Sequence, residues 1–206
     1  FVAAAGEAVK VAAAQTMLTP GIFEAYESGV GGLSASDKAQ EVARGQRGEG
    51  PNQCQAGLFT ARAADFLAEE ALQAEVFGST SLVVKCADLD EVKGVAEHLE
   101  GQLTATLQMD DDDIEVAREL LPILERRAGR VMANGWPTGV EVCDAMVHGG
   151  PYPATSDART TSVGTAAIQR FLRPVCYQNL PQALLPEALR GGNPLDVSRL
   201  VDGKRS

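Results

Sequence analysis

The amino-acid sequence predicts an α/β fold: a largely parallel open sheet with helices on both faces. Three observations carry this. Residues 81–86, Ser-Leu-Val-Val-Lys-Cys, are a compact apolar run of strand length. Residues 88–99 follow with Leu89, Val92, Val95, Ala96 and Leu99 at helical spacing. The alternation then continues as a strand over 103–109, a helix from 110 and a strand over 131–133. Strand, helix, strand, helix, strand at these intervals predicts right-handed βαβ units and parallel pairing.

Composition sets the frame for this reading. The chain has 206 residues, 45% apolar and 22% charged, near the globular average, which excludes wholesale disorder and a coiled coil. Its length suffices to bury a core without disulfide staples. The net charge of −10 excludes a broad nucleic-acid footprint, because phosphate binding needs clustered Lys and Arg. Cys54, Cys86, Cys143 and Cys176 show no CxxC spacing, so free thiols in a cytoplasmic protein are expected. The apolar opening, residues 1–14, contains Glu7 and Lys10 and lacks a basic leader. Neither a signal peptide nor a membrane anchor is expected there.

Taken in order, residues 1–15 read as a helix with an Ala-rich face. Thr19 is expected to cap a second helix with Pro20 in its first turn. That helix should span 22–30 and stop at Gly31-Gly32. Residues 45–53 are dense in Gly and read as a loop. A strand is expected over 57–61 and a helix over 63–74. The helix beginning at Asp110 is expected to be the longest, bent or broken at Pro122 and closed by Gly129. After Gly149 come turns, a short helix over 163–172, and a Pro-containing tail.

Several features invite chemistry. Asp110 to Asp113 are four acids after a strand, but acids in a first helical turn are favoured by its unpaired N–H groups, and no His accompanies them. A capping role is expected and no metal. Gly29-Val30-Gly31-Gly32 follows a helix, which a dinucleotide fingerprint does not. P-loop and GxSxG motifs are missing from the sequence. Cys143 and His148 lie five residues apart. A thiolate beside an imidazole is a nucleophile pair in cysteine hydrolases; a buried, inert thiol is the ordinary alternative. His148 precedes Gly149-Gly150 and Pro151-Tyr152-Pro153, a tight backbone able to present its ring to a cleft, and imidazole titrates where acid–base work needs it. His98 reads as a surface residue.

Read together, these blocks resemble the C-terminal part of the aldehyde dehydrogenase family. Glu75-Val76-Phe77-Gly78 looks like that family's Glu-x-Phe-Gly signature. Residues 100–107 look like its Tyr-Gly-Leu-Ala-Ala block. Gly129-Arg130-Val131-Met132-Ala133-Asn134 looks like its Gly-x-Val-x-Val-Asn strand. His148-Gly149-Gly150 and residues 159–164 take the places of the Phe-Gly-Gly and Gly-Arg-Glu blocks. Order and intervals agree from the first helix to about Gln178. The loop Gly135-Trp136-Pro137-Thr138-Gly139-Val140-Glu141-Val142 and the stretch 148–155 are similar to the 2,5-dioxovalerate (α-ketoglutarate semialdehyde) dehydrogenases and their fatty-aldehyde relatives.

The resemblance implies an NADP- or NAD-dependent oxidation of an aldehyde, such as a semialdehyde, through a cysteine thiohemiacetal. It assigns Glu75 to the nicotinamide ribose and Phe77 to the nicotinamide ring. It sets His148 near the nucleophile, and segment 138–147, with Val142 and Cys143, along the aldehyde entrance. The family's catalytic cysteine stands in a Gly-Gln-x-Cys-Thr context that none of the four cysteines matches. The chain, which opens on Phe1, is therefore expected to be a C-terminal fragment, lacking the first strand of the sheet and inactive alone. Residues 1–172 would be the catalytic-domain remainder. Residues 173–206 would hold an oligomerisation strand, near 173–178, and a tail, making a homo-oligomer. The contrasting expectation is a self-standing, non-catalytic α/β binding or assembly module.

Overall fold

The structure is a computed structural model that describes residues 1–137 and 139–205. It divides into two compact units, Phe1–Ala167 and Ile168–Ser206. The first holds α1 (Val2–Lys10), β1 (Gln15–Thr16), α2 (Pro20–Ala35), β2 (Gln40–Arg44), β3 (Gln53–Cys54) and β4 (Gly57–Arg62). It continues with α3 (Ala63–Ala68), α4 (Glu70–Gln73), β5 (Thr80–Lys85), α5 (Leu89–His98), β6 (Gln102–Leu107), α6 (Ile114–Arg127) and β7 (Ala128–Ala133).

The expected parallel pairing is present. β4 pairs β5 in parallel and β6 pairs β7 in parallel, each joined by a helical crossover. β2 adds antiparallel to the free side of β4, giving the order β2-β4-β5. Residues 57–61 of β4 are all buried. Successive strand residues point to opposite faces, so both faces of β4 are covered. Among the described residues the two parallel pairs form separate ladders. A groove of about 860 Å³ lies between them, lined by Leu82 and Val84 of β5 and by Leu103 and Thr104 of β6.

The core sits around β4. Tyr26, Val30 and Leu33 of α2 pack with Cys54, Phe59, Ala61, Phe66 and Leu72. This explains a departure from the sequence reading. Thr19 caps α2 as expected, its hydroxyl accepting Ile22 N–H at 3.2 Å. The helix does not stop at Gly31-Gly32 but runs on to Ala35 and exceeds α6 in length. Burial of Val30 and Leu33 on the face begun by Tyr26 outweighs the low helix propensity of Gly29, Gly31 and Gly32. The helix expected over 63–74 is interrupted at Glu69, whose extended backbone caps α4. The strand β2 went unread because Gln-Glu-Val-Ala-Arg offers little apolar alternation.

The acidic run forms a 3₁₀ turn, Asp111–Asp113, ahead of α6. Asp110 Oδ1 accepts Asp112 N–H, and Asp113 Oδ2 accepts Asp110 N–H, both at 3.1 Å. This is the reciprocal capping arrangement. α6 runs unbroken through Pro122 and buries Leu120 and Ile123. It ends at Arg127, and Gly129 lies inside β7, contrary to the expected helix stop. Asn134 follows β7 with a left-handed backbone (φ 51°). Its N–H donates to Leu107 O at 2.9 Å, and its Oδ1 accepts Met109 N–H at 2.8 Å, clasping the ends of β6 and β7 together.

The second unit contains short 3₁₀ turns and a two-stranded hairpin, β8 (Leu200–Val201) and β9 (Lys204–Arg205). Asp202 and Gly203, both at positive φ, make its tight turn. Residues 173–178, expected as a strand, have no ladder partner among the described residues. A strand persists only through such a ladder.

Candidate active site

A cleft of about 750 Å³ opens beside the segment between α4 and β5. Its walls include Glu75, Val76, Phe77, Leu82 and Leu33, with Pro137 from the loop leaving β7. The volume is in the range of small-molecule sites. Glu75 is exposed, and Phe77 is 67% exposed despite its large apolar ring. An exposed carboxylate next to an exposed ring can accept hydrogen bonds from a diol and cover a flat apolar face. The structure thus brings the two expected cofactor residues to one opening.

The segment carrying them is seated on α2. Tyr26 is 1% exposed, and its hydroxyl donates to Gln55 O at 2.6 Å. Burial pushes its phenol up to about 12, with the Cys54 thiol adding to the effect. Cys54 Sγ lies 3.7 Å from Ser79 Oγ. All four cysteines are free. Burial pushes the Cys86 thiol up, with Glu91 and Asp88 contributing.

His148 belongs to a second cluster, at the starts of β6 and β7. Its N–H donates to Thr161 Oγ1 at 2.8 Å, and its carbonyl accepts Ser162 N–H at 3.0 Å and the Ser162 hydroxyl at 2.9 Å. Thr161 is buried, and its hydroxyl donates onward to Val163 O at 2.7 Å. The backbone after His148 lies hard against the sheet. A methyl on Gly129 would sit 2.1 Å from Gly149 O, and one on Gly101 would sit 2.0 Å from Pro151 O. His148 Nδ1 is buried without a hydrogen-bond partner among the described residues. An imidazole nitrogen in that state can exchange a proton with a group brought beside it.

Val142 is exposed and Cys143 half-buried in the loop after β7. Of the expected entrance segment 138–147, Thr138 lies outside the described residues. Arg130 of β7 holds this loop: its Nη1 donates to Gly139 O at 2.9 Å and lies 3.6 Å from Met146 Sδ. Cys143 O accepts Thr165 N–H at 3.3 Å. No hydrogen bond joins Cys143 Sγ to His148 among the described residues, so the pair lacks the geometry of a cysteine hydrolase. His98 is exposed and its Nε2 lies 3.1 Å from Gln73 Oε1. Sequence reasoning missed Tyr26, Thr161 and Arg130. The only available signals were a lone Tyr on an apolar helix face and an Arg inside a strand.

Comparison with known proteins shows what the chain is similar to. No protein-family model matches the chain. The chain is 57% identical over 206 residues to alpha-ketoglutaric semialdehyde dehydrogenase 2 of Azospirillum brasilense, covering 99% of this chain and 39% of that protein. Along essentially its whole length the chain is similar to part of an aldehyde dehydrogenase. It is 50% identical over 204 residues to the alpha-ketoglutaric semialdehyde dehydrogenase of Acinetobacter baylyi, covering 98% of this chain and again 39% of the relative. The chain therefore spans about two-fifths of the length of both curated relatives. Solved structures agree on the fold. The delta-pyrroline-5-carboxylate dehydrogenase of Mycobacterium tuberculosis matches with a TM-score of 0.60 at 13% identity, over 82% of this chain and 32% of that one. The betaine aldehyde dehydrogenase of Staphylococcus aureus, solved in complex with NAD+, matches with a TM-score of 0.58 at 16% identity, over 76% of this chain and 29% of that one. No helix among the described residues is long and apolar enough to cross a membrane.

Proposed function

We propose that this chain is the C-terminal part of a cytoplasmic, NADP- or NAD-dependent dehydrogenase. The enzyme oxidises a semialdehyde of the 2,5-dioxopentanoate type to its carboxylate. The observation that carries the reading is the 57% identity to a semialdehyde dehydrogenase over essentially the whole chain. The same identity disfavours a self-standing binding module. The exposed Glu75 and Phe77 in one cleft fit a nicotinamide nucleotide. A bound nicotinamide supplies the hydride acceptor. Glu75 would accept the ribose hydroxyls, and Phe77 would lie against the ring, fixing the face from which hydride arrives.

The nucleophilic cysteine belongs to the part of the enzyme outside this chain. His148 would hold or release a proton at Nδ1 beside it, in a pocket kept tight by Thr161 and the two following glycines. Val142 and Cys143 would line the way in for the aldehyde. A homo-oligomer would form through residues 173–178, which would gain in the assembly the ladder partner they lack alone.

The test is spectrophotometric. The intact protein should form NADH or NADPH from 2,5-dioxopentanoate, and Glu75→Gln should lower the rate. Failure to oxidise any aldehyde with either dinucleotide overturns the reading. Turnover by the 206-residue chain alone overturns the placement of the nucleophile outside it.

A further inference from the structure

The segment that bears Glu75 and Phe77 leans on α2. A methyl placed on Gly29 would lie 2.9 and 3.0 Å from the two γ carbons of Val76. One placed on Gly78 would lie 2.4 Å from Tyr26 Cδ2, and Gly78 adopts a φ of +152°. The Tyr26 hydroxyl lies 3.4 Å from Ser79 O as well as 2.6 Å from Gln55 O. So α2 touches the segment at Val76, at Gly78 and at Ser79. Glu75 and Phe77, flanking Val76, stay exposed.

Two further glycines on the same helix sharpen the point. Methyls on Gly31 or Gly32 would meet nothing within 4 Å. All three glycines weaken the helix to a similar degree. Only Gly29 has a steric reason to lack a side chain, and that reason is Val76.

We propose that Gly29 and Tyr26 are positioning residues that set the depth of Val76 and Gly78, and through them the placement of Glu75 and Phe77 against the cofactor. This rests on the reading that Glu75 and Phe77 hold the nicotinamide end. A methyl at position 29 drives Val76 outward. Val76 shares its peptide units with Glu75 and Phe77, so both move. The hydride acceptor is then presented at the wrong angle while the aldehyde entrance is untouched.

The experiment measures the pre-steady-state burst of reduced nicotinamide in the intact enzyme. Gly29→Ala should slow the burst by about tenfold or more, since small misplacements cost this much. The KM for aldehyde should stay within about twofold, because ground-state binding of that substrate is not altered. Gly31→Ala should match the wild type. Adding Val76→Ala to Gly29→Ala should restore the burst to that of Val76→Ala alone. A burst in Gly29→Ala equal to that of Gly31→Ala overturns the proposal, as does a loss that Val76→Ala fails to relieve. If Gly29→Ala does not fold, Tyr26→Phe replaces it: a slowed burst with unchanged aldehyde KM supports the proposal, and an unchanged burst overturns it. Glu75→Gln separates the two levels. A normal burst in that variant overturns the cofactor reading and this proposal with it. A slow burst there, with Gly29→Ala normal, overturns this proposal alone.

Discussion

Segment 75–78 rests on side chains, whereas segment 148–150 is pressed against backbone and tied down by the Thr161 and Ser162 hydroxyls. The first is propped by the ring of Tyr26 and the methyls of Val76 against a helix. The second is pressed onto the strand region, where Gly101 and Gly129 meet the main-chain atoms of residues 149–152. A side-chain seat can give by a few tenths of an ångström, carrying the segment it props with it. A backbone seat cannot, because moving one carbonyl moves its hydrogen bonds with it. The same chain therefore carries one adjustable holder, for the proposed cofactor contact, and one rigid holder, for His148.

Three measurements sharpen or break this contrast. The largest effect is expected from Gly129→Ala. The methyl would meet Gly149 O at 2.1 Å with no side chain able to turn away. A loss of about 3 kcal/mol is expected, at the upper end of overpacking, read from the denaturant midpoint of the intact protein. A loss no larger than that of Gly29→Ala would abolish the distinction between the two seats.

Next comes Thr161→Val. It removes the hydroxyl that accepts His148 N–H and donates to Val163 O, leaving half-buried backbone groups unpaired. The expected loss is about 2 kcal/mol, with lowered activity because the backbone of His148 loses its anchor. Unchanged stability and activity would mean that glycine packing alone holds the rigid seat.

The smallest effect is a pH dependence at the adjustable seat. The Tyr26 phenol ionises near its ordinary 10.0 when unfolded but at about 12 when folded. Between these values the unfolded chain loses the proton first, so it binds fewer protons than the folded one. Stability is whole below pH 10 and falls as pH rises toward 12. Tyr26→Phe should flatten that alkaline decline in a denaturation series. An identical decline in the variant would remove Tyr26 as its source.

The two seats also differ in how far the sequence announces them. Local patterns give β5, α5 and the Thr19 cap, because apolar spacing and a capping hydroxyl act within one turn or one strand. Glu75 and Phe77 take their expected roles from family resemblance, whereas His148 is already singled out by its place before Gly149-Gly150. The roles of Tyr26 and Thr161 are not readable at all. Tyr26 matters because of Ser79 and Gly78, and Thr161 because of His148, and those pairings exist only after folding. The continuation of α2 past its glycines escapes for the same reason: the burial that sustains it lies on β4 and α3.

The Asn134 clasp has one more consequence. Strand ends normally fray, and their amide protons exchange with solvent sooner than those at mid-strand. Here the Asn134 and Met109 amides are bound across the ends of β6 and β7. Deuterium should enter these positions as slowly as it enters the centre of the ladder. The loop carrying Trp136 and Pro137 would then depart from an anchored point, and its opening would leave the strands behind it undisturbed.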